Sequence, residues 1–238
     1  MKKENIKKFG SLAGIENIIS VYFCDDFKFK AKCFQDTICT AVARVFLNHE
    51  TIIFSKEHKQ LCPGADYFLK LSKISISEAI KNYVKDEHVF CNEKVCRNFL
   101  KHLPKFPKEL KHKNIVMKPF EFKDNPQIIV MLLTPALAGR VLGLLNYDKY
   151  ENVVLNPSQP TCISLFSPIV TEKPHINFID YYDRYYQNKF NGKSIWSEGK
   201  LIISLKYNDF IVILNNFSKS SHGSYNPNIS VQKVDPIK

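Results

Sequence analysis

The sequence lacks any long apolar segment. Its apolar stretches, such as residues 128–133, are far shorter than the roughly 20 residues that a membrane-spanning helix needs. The charged residues 1–8 are not followed by the apolar stretch of roughly 7–15 residues that a secretory signal requires. We therefore expect a cytoplasmic protein with no membrane segment.

Arginine is scarce, although the formal net charge is +11. The 34 basic residues include four arginines, namely Arg44, Arg97, Arg140 and Arg184. Phosphate and base recognition favours arginine, whose planar guanidinium makes bidentate contacts. The lysines are scattered, and their densest stretch, residues 101–113, also contains two prolines and is typical of a solvated connector. Nucleic acid is therefore not an expected partner.

The local motifs of the commonest enzyme classes are also absent. The chain has no GxGxxG dinucleotide motif, no P-loop, no GxSxG elbow and no HExxH zinc motif. Its seven histidines are dispersed along the chain. The sequence therefore leaves open whether the protein is an enzyme.

Helical and strand patterns alternate along an ordinary globular composition, with 45% apolar and 24% charged residues. β-branched and aromatic residues predict strands at residues 18–23 and 128–133, and Thr134-Pro135 predicts a helix start. The chain contains neither a clear linker nor an internal repeat. We predict one α/β domain over residues 1–217, with a mixed α+β content and a mixed sheet flanked by helices, and a polar, mobile tail over residues 218–238.

The last third is predicted to be richer in strands. Residues 162–166 and 176–179 are among the candidates, and the residues that precede 162 resemble a turn. Asn208-Asp209 is predicted to cap a final helix.

The cysteines are the strongest chemical signal. Seven cysteines at irregular spacing do not indicate a disulfide framework, so we expect free thiols. Cys39 and Cys62 fall at the starts of predicted helices, where backbone N–H groups and the helix dipole stabilise a thiolate. Cys62 is therefore a candidate catalytic nucleophile, and Gly64 would let the backbone approach a ligand or cofactor closely. The alternative is that both cysteines are small buried core residues.

Other polar residues are weaker candidates. His58 could act as a base for Cys62, although a surface histidine in a lysine-rich loop is the commoner interpretation. Cys91 and Cys96 do not have standard zinc-ligand spacing and are interpreted as structural. Asp183 and Arg184 lie in a tyrosine-rich segment that could line a pocket.

One set of short segments, taken in order, carries a resemblance to a known family. The segments are Val21-Tyr22-Phe23, Cys39-Thr40-Ala41-Val42, residues 62–69, Leu103-Pro104, Lys118-Pro119, residues 128–135, Cys162 and Asp183-Arg184. Over about residues 12–217 this order resembles the bacterial and archaeal domain-of-unknown-function family number one hundred and sixty-nine, which has no agreed activity. The resemblance implies that Cys39, Cys62 and Cys162 are the family-pattern cysteines, and it points to Arg184. Lys70 and Tyr182 stand where the family tends to have glycine, which would reshape a pocket.

Three hypotheses follow from these residues. Cys39, Cys62 and Cys162 could converge on a 4Fe–4S cluster, or on zinc with a fourth ligand. Cys62 could instead be the nucleophile of a metal-free thiol enzyme, with Cys39 as a neighbouring or resolving thiol. The third hypothesis is a non-catalytic binding or assembly protein with structural cysteines. The expected partner is a small molecule or another protein, and the sequence leaves open whether the chain forms a homo-oligomer.

Overall fold

The computed structural model describes residues 3–26, 31–33, 36–56, 62–106, 114–150, 152–155, 160–179 and 199–223. Within these residues the helices are α1 (Lys3–Ala13), α2 (Ile38–Asn48), α3 (Pro63–Leu69), α4 (Ile76–Lys81), α5 (Glu93–His102), α6 (Pro135–Leu145), α7 (Thr161–Phe166), α8 (Pro168–Thr171) and α9 (Tyr207–Asn216). A short 3-10 helix covers Ile15–Asn17, and a π-helical segment, Asn82–Asp86, continues α4.

Eight strands form one sheet. They are β1 (Ile18–Cys24), β2 (Lys32–Cys33), β3 (Ile52–Ser55), β4 (Asn114–Pro119), β5 (Ile128–Leu133), β6 (Val154–Leu155), β7 (His175–Asn177) and β8 (Leu201–Lys206). Their order across the sheet is β2-β3-β4-β1-β5-β8-β7-β6. The β2–β3 and β6–β7 pairs are parallel, and the other neighbours are antiparallel. The prediction of a single α/β domain with a mixed sheet is confirmed.

Helices cover both faces of the sheet. Along β5, Ile128, Val130 and Leu132 enter a core built with α2, α3 and α7. The alternating residues of the same strand enter a second core built with α1, α6 and α9. A strand buried on both faces has no solvent side, which explains its uninterrupted apolar sequence.

A third apolar cluster, called here the α4–α5 cluster, lies beside the first core. It consists of Ala79, Ile80, Tyr83, Cys96 and Leu100. Both helices begin with side-chain caps: Ser75 forms a capping box with Glu78, and Asn92 accepts a hydrogen bond from Val95 N. These caps fix the starts of the two helices that surround Tyr83.

A buried ion pair holds the connection between β4 and β5. Lys118 Nζ lies 2.9 Å from Asp124 Oδ1, and both side chains are almost fully buried. Ser20 Oγ and the backbone N–H of Glu121 donate to Asp124 Oδ2, at 2.9 and 2.7 Å. These additional hydrogen bonds offset part of the cost of removing the two charges from water.

Two predictions for the last third are wrong. Residues 162–166 were expected to form a strand but belong to helix α7, because a short apolar run has too few residues to distinguish the two periodicities. The final helix begins at Tyr207 with Lys206 as its N-cap residue, so Asn208 and Asp209 lie inside its first turn. Strand β8 therefore leads directly into α9.

The first residues of the predicted tail form turns against the domain. Arg140 Nε donates to His222 O at 2.8 Å, and Arg140 Nη2 donates to Gly223 O at 3.0 Å. Ser220 is buried. Residues 224–238 lie outside the described residues, so the mobile tail stays a prediction.

None of the helices in the described residues has the length and apolarity that crossing a membrane would require.

Candidate functional site

Cys62 immediately precedes helix α3. It is the N-cap residue, and Pro63 occupies the first helical position, as the Cys-Pro-Gly-Ala sequence predicts. Its side chain makes no capping hydrogen bond, and only 8% of the residue is exposed. The thiol therefore lies at the start of α3 but inside the protein.

Cys39 is the second residue of α2. Thr37 caps this helix by accepting a hydrogen bond from Thr40 N at 3.1 Å, so the predicted helix start is confirmed. Cys39 is also buried and belongs to the core formed with α2, α3 and α7. Both cysteines of the sequence prediction are thus near amino-terminal ends of helices.

Cys162 is the second residue of α7 and is buried in the same core. Helix α7 packs against α2 and α3, and α3 also packs against the π-helical segment Asn82–Asp86. The elements that carry Cys39, Cys62 and Cys162 are therefore neighbours, although the three residues are far apart in the sequence.

Tyr83, in the π-helical segment, lies close enough to the three thiols for each of them to affect its ionisation. Burial raises the pKa of Tyr83 well above its usual value, and negative charge at Cys162, Cys62, Glu87 and Cys39 raises it further. The phenol therefore stays protonated at neutral pH. Its hydroxyl is fully buried and has no hydrogen-bond partner among the described residues.

Gly64 is the residue against which the Tyr83 ring packs. A β-carbon at position 64 would collide with Cζ and Oη of Tyr83. The absence of a side chain at Gly64 thus lets the ring of Tyr83 approach the backbone of α3 closely, and the ligand contact predicted for Gly64 stays a prediction. This contact brings Tyr83 Oη to the first turn of α3, at a residue two positions after Cys62.

The other cysteines with described side chains are not among the residues that raise the pKa of Tyr83. Cys91 is exposed, and Cys96 is buried in the α4–α5 cluster, where burial raises the pKa of its thiol. Burial, together with Asp25 and Asp26, raises the pKa of Cys24. Raised thiol pKa values disfavour the reactive thiolate.

The metal hypothesis gains no support from the geometry. Within the part of the chain that the structure describes, no group of three or more His, Cys, Asp or Glu side chains could hold a metal ion. Cys39, Cys62 and Cys162 therefore do not form a ligand set for zinc or a 4Fe–4S cluster in this arrangement, and we derive no reaction step through either.

Several sequence candidates fall outside the described residues, namely His58, Tyr182, Asp183 and Arg184. Lys70 is described and ends α3 in the left-handed conformation, with φ 57°. Glycine adopts this conformation at the lowest cost, and helices commonly end on it. The lysine therefore stands at a helix terminus that would suit the glycine of the family pattern.

Tyr83 is not among the residues predicted from the sequence. It is spaced with Ile76 and Ile80 along one face of a helical segment, a pattern typical of core residues. The only sequence signal was the polar hydroxyl on an otherwise apolar face, which buried tyrosines usually satisfy with a hydrogen bond.

A family profile matches most of the chain. The profile of DUF169, described as uncharacterised ArCR, covers residues 14–216. The chain belongs to the DUF169 family. The resemblance inferred from the sequence is thus confirmed, and its extent includes all three family-pattern cysteines.

No curated protein and no solved structure matches this DUF169 chain. The family description gives no activity.

Proposed function

We propose that this DUF169 protein binds a small ligand between Cys39, Cys62, Cys162 and Tyr83, and that Cys62 is the thiol that reacts with it. The observation that carries the proposal is the Tyr83 hydroxyl, which is buried without a hydrogen-bond partner among the described residues. Leaving such a group unsatisfied costs about 1–3 kcal/mol. A ligand with an oxygen acceptor would remove that cost.

A second buried hydroxyl supports the same proposal. Thr161 immediately precedes Cys162, and its Oγ1 is also buried without a partner among the described residues. Native proteins leave few buried polar groups unsatisfied, so each one calls for an explanation. Of the seven buried side-chain polar atoms without a partner among the described residues, these two lie on the elements next to the family-pattern cysteines, and a polar ligand there would satisfy both.

The chemistry of the group favours an electrophilic ligand such as a carbonyl or conjugated carbonyl compound. The Cys62 thiol loses its proton to solvent, and the sulfur electron pair forms a bond to the electrophilic carbon. The π electrons of the ligand move to its oxygen, to which Tyr83 Oη donates a hydrogen bond. We place this chemistry in the cytoplasm, where thiols stay reduced.

A soft metal or a 4Fe–4S cluster is the second candidate, because three thiols lie close enough to Tyr83 to affect its ionisation. It would require Cys39, Cys62 and Cys162 to move into a ligand set. Metal and acid-labile sulfide analysis of protein purified without oxygen tests this candidate, with Cys39→Ser and Cys162→Ser as variants. Stoichiometric iron and sulfide, or zinc, lost in both variants would replace the thiol proposal with a metal site.

The thiol proposal is tested by labelling with two reagents. Acrylamide places negative charge on its oxygen as the thiolate adds, whereas iodoacetamide releases iodide and creates no oxyanion. We expect Tyr83→Phe to slow acrylamide addition at Cys62 about tenfold more than it slows iodoacetamide alkylation, because it removes an oxyanion donor. Peptide mass spectrometry of timed samples gives both rates.

The chain contains its own controls. Exposed Cys91 should show the same ratio of the two rates in the wild type and the variant, and buried Cys96 should react with neither reagent. A folded protein in which Cys91 is labelled while Cys62 resists both reagents would contradict the proposal. So would an unchanged ratio at Cys62 in Tyr83→Phe.

A further inference from the structure

A groove opens on the surface at the carboxyl-terminal end of α3, away from Cys62, which precedes the amino-terminal end of the same helix. Its volume is about 450 Å³, within the range of roughly 300–1,000 Å³ that is usual for small-molecule sites. Apolar side chains form much of its wall, among them Phe68, Ile76, Leu100, Leu103 and Phe106. The rings of Phe68 and Phe106 meet edge to face, with centroids 5.5 Å apart.

Among the described residues that line the groove, the charged ones are all lysines. Lys70, Lys101 and Lys105 contribute to the lining, and no described aspartate or glutamate does. Lys70 Nζ lies 4.1 Å from the centroid of the Tyr67 ring, another lining residue, which holds this ammonium group at the groove wall.

The charges of these three lysines are not paired with carboxylates of the described residues. Elsewhere in the described residues, Lys8, Lys118, Lys149 and Lys206 each form a salt bridge with a carboxylate. Lys70, Lys101 and Lys105 form none with any described residue. Three uncompensated positive charges beside an apolar surface are complementary to an anion that has an apolar body.

We propose that this groove binds an organic anion with a carboxylate or phosphate head and an apolar chain. The head lies among Lys70, Lys101 and Lys105, and the chain lies against Phe68, Leu103 and Phe106. Binding in this groove does not depend on the reactivity of Cys62, because it involves other residues and requires no chemical step.

The test is isothermal titration calorimetry of the full chain with four probes. The probes combine the anionic head and the apolar chain in different ways. Decanoate and decyl phosphate carry both the anionic head and the chain, decanol carries the chain alone, and acetate carries the head alone. We expect both anionic decyl probes to bind about tenfold or more tightly than decanol or acetate, and to weaken as salt screens the lysines. The ratio of decanoate to decyl phosphate affinity identifies the preferred head.

Two triple variants with the same net charge test the location. K70Q/K101Q/K105Q should weaken both anionic probes about tenfold and leave decanol unchanged. K7Q/K94Q/K219Q changes three exposed lysines elsewhere and should bind like the wild type. Circular dichroism and thermal unfolding confirm that both variants fold.

Three results would overturn the proposal. The first is the absence of calorimetric binding for both anionic decyl probes. The second is decanol binding as tightly as decanoate, which would indicate apolar adhesion alone. The third is an equal loss of affinity in the two triple variants, which would indicate a general effect of net charge.

Discussion

His175 on β7 is buried as a neutral ring. Its Nε2 and Thr171 Oγ1 share a hydrogen bond of 2.8 Å, and its Nδ1 is buried with no partner among the described residues. Burial lowers the pKa of His175 to about 4. The unfolded chain would bind this proton near pH 6.5, so between about pH 6.5 and 4 the unfolded state carries more protons than the folded state.

The free energy of unfolding should therefore decrease as the pH is lowered through that window. His175 should account for about 2 kcal/mol of the loss between pH 7 and pH 4.5. We expect His175→Gln to flatten the plot of unfolding free energy against pH by this amount. Urea titrations at five or six pH values measure it. The exposed His102→Gln is the control and should keep the wild-type slope. Parallel slopes for wild type and His175→Gln would contradict the prediction.

At the same scale, the sequence identified cysteines but not their neighbour. Helix caps and Pro63 locate the starts of α2 and α3, so the positions of Cys39 and Cys62 could be derived from local chemistry. Tyr83 could not, because its contact with Gly64 joins two elements that only tertiary packing brings together. A tyrosine on an apolar helix face is predicted to be a core residue. Only the three-dimensional structure shows that its hydroxyl has no hydrogen-bond partner among the described residues.

Two helical glycines have opposite surroundings, which gives a prediction at the scale of the element. Gly139 lies within α6, and an added β-carbon there would meet nothing within 4 Å. Gly139→Ala should raise the free energy of unfolding by about 0.5–1 kcal/mol, the usual gain in a helix. Gly64→Ala should instead lower it by about 1–3 kcal/mol, because the new methyl group overlaps the Tyr83 ring.

Chemical denaturation of the two variants measures this difference in sign. Tyr83→Leu in the Gly64→Ala background should recover part of the loss, since leucine has no atoms at the position of the phenol end. If Gly64→Ala stabilises the protein as much as Gly139→Ala, the packing of Tyr83 on α3 is incorrect.

Helices and strands whose sequence pattern fits one type of secondary structure were predictable, and those whose pattern fits both types were not. Strand β5 reads as six consecutive apolar residues and has the bounds that the sequence indicates. Helix α7 has six residues, of which Cys162, Ile163, Leu165 and Phe166 are apolar, and this run fits a strand as well as a helix. Its helical form depends on contacts with α2 and α3, which the sequence does not show.

The boundary of the domain can be tested on the whole molecule. Arg140 and Asn216 connect the turns of residues 218–223 to α6 and α9, through Arg140 donating to Gly223 O and the N–H of Ser220 donating to Asn216 O. We expect removal of residues 224–238 to leave thermal unfolding unchanged. Removal of residues 218–238 should cost about 1–3 kcal/mol, because these hydrogen bonds and the burial of Ser220 are lost.

Differential scanning calorimetry of the full chain and the two truncated chains distinguishes the cases. An equal loss in both would place the domain boundary beyond residue 223.

At this scale the single α/β domain was predictable from the alternation of helices and strands, whereas the strand order was not. Strand β8 inserts between β5 and β7, and no local pattern specifies which strands become neighbours.

That strand order also determines when the sheet can close during synthesis. One edge of β5 pairs with β1, which is already made, but the other pairs with β8, which follows roughly seventy residues later. At about 5–20 residues per second, the ribosome needs roughly 3–14 s to supply it. During that interval a strand of sequence Ile-Ile-Val-Met-Leu-Leu has an open hydrogen-bonding edge, the kind of segment that recruits other chains. We therefore expect the nascent protein to be most prone to aggregation after β5 is made and before β8 is complete.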